Sequence, residues 1–168
     1  NITSAGDTNN YLDTLKSNGF TSDKELHDKV WVDMFRLAAL EAAVASATTN
    51  GSVWVYRFDM DSDKEVFGQK LGATHAAEIA FTFNEFASNK EHWLYDTKRN
   101  EVRELATAWS QTLIQFAKTG DPNNAGLPFW PKFESINGHT MILDEKSRVE
   151  LDLDSEDLNI WRTVGIKL

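Results

Sequence analysis

The chain has 168 residues, 41% hydrophobic and 26% charged, which is enough for one globular domain with its own core and too apolar for disorder throughout. Its net charge of −9 and the lack of a basic stripe speak against nucleic acid or an anionic membrane surface as partner. The absence of cysteine excludes disulfides, thiolate metal sites and a cysteine nucleophile, and no run approaches the 18 apolar residues of a membrane span.

Residues 1–10 are polar and read as a loop, with a short helix expected from about Asn10 to Ser17 before Asn18-Gly19. Ser22 and Glu25 have the spacing of a capping box, and Leu26, Val30, Met34, Leu37 and Val44 recur at helical intervals. A long helix over residues 22–48 follows, stopped at Thr48-Thr49-Asn50-Gly51 with Asn50 or Gly51 left-handed. Residues 52–58, Ser-Val-Trp-Val-Tyr-Arg-Phe, are β-branched and aromatic, the composition of a strand buried on both faces of a parallel sheet.

Residues 59–78 look polar and irregular, punctuated by Gly68 and Gly72, and Ile79–Phe83 is a short apolar stretch. A second long helix is expected from Asn100 to Lys118 on the stripe Val102, Leu105, Ala106, Trp109, Leu113 and Phe116, broken by Thr119-Gly120-Asp121-Pro122-Asn123. Residues 140–143 read as a last strand after Asn137-Gly138, and Asp154 or Ser155 as the cap of a final helix over residues 156–164. Helix, turn and buried strand form an αβ unit, so the fold class is α/β.

Asp59, Asp61 and Asp63 alternate as in a calcium loop, but that loop needs glycine at its sixth position and glutamate at its twelfth. Lys64 and Lys70 stand there, so a solvated loop is expected and no metal. His27, His92 and His139 lack metal-like spacing and read as surface or satisfied histidines. His75 lies between small residues in Gly72-Ala73-Thr74-His75-Ala76-Ala77-Glu78, on a loop that follows a strand. Its position alone suits a surface histidine as well as a proton shuttle.

The stretch Gly72–Phe83 resembles the histidine motif of type B carboxylesterases and cholinesterases, Gly-Ala-x-His-x-x-Glu-(Leu/Ile)-x-(Phe/Tyr)-x-Phe. The resemblance extends in order through Asp33-Met34-Phe35-Arg36, Val55-Tyr56-Arg57-Phe58, Thr119–Asn123 and Leu127-Pro128-Phe129-Trp130-Pro131-Lys132-Phe133, where Phe133 stands at a tyrosine position. It implies the carboxyl-terminal portion of an α/β-hydrolase fold, the last sheet strands with their covering helices, spanning residues 1–168 of a single domain. It also implies His75 as general base of a serine triad, with Glu78 and Asp33 as structural neighbours of the histidine loop rather than as the triad acid. Phe81 and Phe86 become candidates for an acyl or alcohol pocket.

No serine here has the flanking glycines of a nucleophile elbow, Ser4 included, because Ile2 occupies a position that needs glycine. The nucleophile, the acid and the oxyanion glycines are therefore expected in an amino-terminal part that this chain lacks, and the chain alone is expected to be inactive. The expected substrate is a small-molecule ester, with no metal or organic cofactor, and the expected partner is the amino-terminal part of the same protein or a second copy in a homodimer. A cytoplasmic bacterial protein is the expected setting, with secretion as the alternative. The family also contains non-catalytic adhesion proteins, which form the second reading.

Overall fold

The computed structural model describes residues 5–49, 51–88, 91–134 and 138–164. The chain divides into two compact units, one formed by residues 1–53, 133–138 and 152–168 and the other by residues 54–132 and 139–151.

The first unit is helical, with α1 (Ala5–Ser17), α2 (Asp23–Thr48) and α5 (Ser155–Thr163). α1 begins five residues before the expected start, because two buried side chains, Tyr11 and Leu15, anchor it and the polar first turns show no periodicity. α2 starts as its sequence requires: the Ser22 side chain accepts from the Glu25 N–H at 3.2 Å, and the Glu25 carboxylate accepts from the Ser22 N–H at 3.0 Å.

Its buried face, however, runs through Leu26, Asp33, Leu37, Leu40 and Ala43, leaving Met34 exposed. That face is rotated from the expected stripe because it includes a carboxylate. Asp33 accepts from the Tyr11 hydroxyl and, at 2.9 Å, from Lys29 Nζ. Lys29 reaches Asp157 of α5 at 2.7 Å, Arg36 pairs with Asp154, and Arg162 with Glu41 at 2.6 Å. The polar ties thus join all three helices.

Asp154 stands at the N-cap of α5 without making a side-chain cap bond, its carboxylate being paired with Arg36. At the end of α2, Gly51 is not left-handed as expected. It is needed for close approach, since a Cβ there would lie 2.7 Å from the Ser46 carbonyl oxygen. Asn50 lies outside the described residues.

The second unit holds a three-stranded sheet in the order β1 (Val55–Phe58), β4 (His139–Leu143), β5 (Arg148–Leu151). β1 runs parallel to β4, with Val55 opposite Thr140 and Phe58 opposite Leu143, and β5 returns antiparallel. The strand buried on both faces is β4. β1 is half-buried, with Tyr56 exposed, because it forms the sheet's edge among the described residues.

β5 is an unforeseen strand, and a small antiparallel hairpin, β2 (Glu65–Val66) and β3 (Gln69–Lys70), interrupts the stretch read as irregular. The apolar Ile79–Thr82 is one helical turn, α3, and α4 spans Asn100–Thr119. α4 ends on left-handed Gly120, φ 74°, whose N–H bonds to the Phe116 carbonyl at 2.8 Å. Phe81, Phe86, Tyr95, Leu105, Trp109 and Met141 lie at the centre of this unit's core.

Candidate functional site

β1 leads directly into the site. After Phe58 the Asp59 N–H bonds to the Leu143 carbonyl at 2.8 Å, so the chain leaves the sheet beside the carboxyl end of parallel β4. Loops at that end of a parallel sheet are where α/β proteins place functional groups. The Ser62 N–H then holds the Gly72 carbonyl at 3.2 Å, and the Ser62 hydroxyl accepts from the Leu71 N–H at 3.2 Å. Gly72 is left-handed, φ 64°, a conformation that glycine adopts without a Cβ penalty.

His75 follows on a turn of residues 75–78 and is exposed. The Ala77 N–H bonds to the Thr74 carbonyl at 3.1 Å, the Ile79 N–H to Ala76 at 3.3 Å and the Thr82 N–H to Glu78 at 2.8 Å. Ala77 and Ala80 are 3% and 5% exposed, and Phe81 is fully buried. One side of the turn is therefore sunk in the core while its histidine faces outward. Ala76, immediately after His75, sits at φ 65°, a left-handed conformation that costs an alanine about 1–2 kcal/mol. Nothing in the sequence signals this, since an alanine at such a position looks like any helix-former.

Glu78 is half-buried at the N-cap of α3. Its charge reaches two phenols. The Tyr56 pKa is raised first by the partial burial of its phenol and then by Glu78, and that of Tyr95 by burial and by the carboxylates of Asp63, Asp61 and Glu78. The Tyr56 ring lies 4.6 Å from that of Trp109, whose Nε1 donates to the Thr82 hydroxyl at 3.1 Å. α3 and α4 are tied together by this bond.

Phe81 and Phe86 are 0% and 1% exposed and face each other with ring centroids 4.8 Å apart. Phe58 and Tyr95 each lie 5.0 Å from Phe81, and the Tyr95 hydroxyl donates to the Met60 carbonyl at 3.0 Å. Both phenylalanines are thus core rings, packed beneath the histidine turn rather than open beside it. Asp33 belongs to the helical unit, where it binds Tyr11 and Lys29.

The other histidines differ. His92 stacks on Tyr95 at 5.5 Å, its Nδ1 accepts from the N–H groups of Leu94 and Tyr95 at 3.2 and 3.3 Å, and burial lowers its pKa. His27 accepts from Trp31 Nε1 at 2.9 Å, and His139 lies on β4.

Two of the three alternating aspartates are drawn to guanidinium groups: Asp59 binds Arg57 at 2.6 Å, and Asp63 binds Arg99. Among the described residues no group of three or more histidine or carboxylate side chains could hold a metal ion, and no helix is long and apolar enough to cross a membrane. Downstream, the side chain of Asn123 ties the segment after α4 to Trp130, accepting from its N–H at 2.7 Å and donating to its carbonyl at 3.0 Å.

The chain is similar to a para-nitrobenzyl esterase of Bacillus subtilis (strain 168), 33% identical over 115 residues covering 68% of this chain and 22% of that protein. It is also similar to acetylcholinesterase 1 of Caenorhabditis elegans, 30% identical over 118 residues, 67% of this chain and 18% of that one. A solved PNB esterase superposes with a TM-score of 0.68 at 28% identity, covering 83% of this chain and 27% of that one. A Geobacillus stearothermophilus carboxylesterase does so with the same score at 25% identity, over 91% and 31%. The fold is therefore part of the α/β-hydrolase architecture, and the chain spans about a fifth of the length of these curated relatives. With the carboxylesterase family model matching residues 5–161, the chain belongs to the carboxylesterase family.

Proposed function

We propose that this chain is the histidine-bearing part of a serine carboxylesterase, with His75 as its general acid and base. The observation that carries the reading is the exposed imidazole on a tight turn. One side of that turn is core-packed, and the turn follows the strand that runs parallel to β4, within the Gly72–Phe83 motif. The family membership and the esterase relatives support the same reading. In it, a serine from another part of the protein attacks the ester carbonyl while His75 takes its proton. The imidazolium then protonates the departing alcohol. His75 next takes a proton from water as that water attacks the acyl-enzyme, and returns it to the serine.

Glu78 acts as a neighbour that holds the turn, and Asp33 as a tie within the helical unit. Phe81 and Phe86 would shape a substrate pocket only from behind, as the packed floor of the turn. Residues 1–168 form part of one α/β-hydrolase domain, whose amino-terminal part supplies the nucleophile and the acid. Proton transfer by a positioned side chain contributes about 10²–10⁴-fold, so His75→Ala in the whole protein is expected to lower kcat on a nitrophenyl ester by at least that factor. Retention of wild-type kcat by a folded His75→Ala protein would remove His75 from the mechanism. The 168-residue chain alone is expected to show no turnover.

A further inference from the structure

One line of side chains on α2 lies outside its buried face. His27, Trp31 and Phe35 recur at four-residue intervals, the spacing that brings side chains together along a helix. All three are exposed, Trp31 by 50% and Phe35 by 62%. They nevertheless touch in series. The Trp31 ring stacks on Phe35, with centroids 6.1 Å apart and planes 13° from parallel, and meets the His27 ring edge-on at 6.2 Å. Trp31 Nε1 donates to His27 Nε2 at 2.9 Å.

An indole N–H only donates, so Nε2 is the bare nitrogen of the neutral imidazole and Nδ1 carries its proton. The other side of the ring agrees, since Asp28 Oδ1 lies 3.4 Å from Nδ1 and can accept that proton's bond. Lys24 in turn binds Asp28. Asp23, one turn earlier, makes no ion pair with the ring, and among the described residues no charged group of another element meets it. The imidazole is thus set between one acceptor, Asp28, and one donor, Trp31, both on its own helix. Protonation places a hydrogen on Nε2 as well. Two N–H groups then face each other, the bond from Trp31 is lost, and the charged ring is drawn toward the Asp28 carboxylate. Fixing an exposed tryptophan costs rotamer freedom, and one hydrogen bond with one stack is a small return, so loss of the bond is enough to shift the population of the indole.

We infer that the His27–Trp31 contact is a proton-operated latch on the surface of α2: the neutral imidazole fixes the indole, and its protonation sets the indole free. The face that Trp31 and Phe35 present is ordered at neutral pH and loosened in acid. The latch is independent of the esterase reading, because all its parts lie on one helix of the helical unit.

The test is nuclear magnetic resonance on the nitrogen-labelled chain, with pH lowered from about 8 to about 5, the range in which imidazoles ordinarily titrate. At the upper end the nitrogen shifts of His27 should show its proton on Nδ1, and the Trp31 Nε1–H should show a contact with the His27 ring. As the ring gains its second proton, that contact should vanish and the Nε1–H resonance should shift, with the same midpoint as the His27 ring. His27→Gln keeps an acceptor at every pH through its amide oxygen and should remove the pH dependence of the Trp31 resonance. His27→Ala should show the released resonance throughout. The side chain is exposed, so both variants are expected to fold, which the backbone amides of α2 check.

A neutral His27 with its proton on Nε2, or a Trp31 resonance unmoved while His27 titrates, would overturn the latch. A shift of equal size and midpoint in His27→Gln would also overturn it, since other groups would then be its cause. So would a His27–Trp31 contact that persists in the charged form, with the imidazolium lying over the indole face.

Discussion

Nδ1 of His92 faces two backbone N–H groups, and burial against Phe86 and Tyr95 depresses its pKa below the usual 6.5. The folded state therefore holds the neutral ring, and the unfolded chain binds a proton more readily. Stability from this group is fully present above about pH 6.5 and is lost as pH falls through the lower folded value. His92→Gln should flatten that loss: the urea midpoint of the wild type is expected to drop more between pH 7.5 and 5.5 than that of the variant. An equal drop in both would show that His92 does not titrate with folding. Phe81, in contact with three aromatic rings, should act through packing. Phe81→Ala is expected to cost about 3–5 kcal/mol in denaturant unfolding. A loss below 1 kcal/mol would mean that the ring is not a core element.

Between elements, Arg99 is a cross-tie. One guanidinium nitrogen meets Asp63 and another Glu145, with Glu101 at 3.7 Å, so the loop after β1, the start of α4 and the β4–β5 turn share one cation. Because the group is partly buried, Arg99→Met should destabilise by about 1–2 kcal/mol, with a matching fall in thermal midpoint. An unchanged midpoint would reduce the tie to a surface contact.

This cross-tie was not legible in the sequence, because it joins positions 36 and 46 residues apart. Elements fixed by local rules were legible: α2 through its Ser22–Glu25 box, and α4 through its apolar stripe and Gly120. β5 could have been found, since Arg148-Val149-Glu150-Leu151 alternates as a half-buried strand does. The hairpin could not, because Phe-Gly is an improbable pair for its turn. His75 was visible through its motif, but the left-handed Ala76 beside it was not, because that strain is imposed by the fold.

At the scale of the molecule, each unit carries apolar surface that its own residues do not cover. In the helical unit Trp31 and Phe35 stack at 6.1 Å while 50% and 62% exposed. In the other, the outer edge of β1 has no partner strand among the described residues, and Phe83 is 73% exposed. An open edge and uncovered aromatics favour association. The isolated chain is therefore expected to sediment with a concentration-dependent size and to bind a hydrophobic dye, and both behaviours should diminish on co-expression with the amino-terminal part that the proposed function calls for. Monodisperse, dye-silent monomer at high concentration would mean that these faces do not drive association.

The pairing of β1 with β4 also governs the order of events during synthesis. Val55 emerges from the ribosome long before Thr140, its partner, and this parallel pair cannot form until all of the intervening chain is made. Contacts so distant along the chain form slowly. Through that interval the β4-facing edge of β1 stays open, and β4 arrives flanked within a few residues by β5 on its other side.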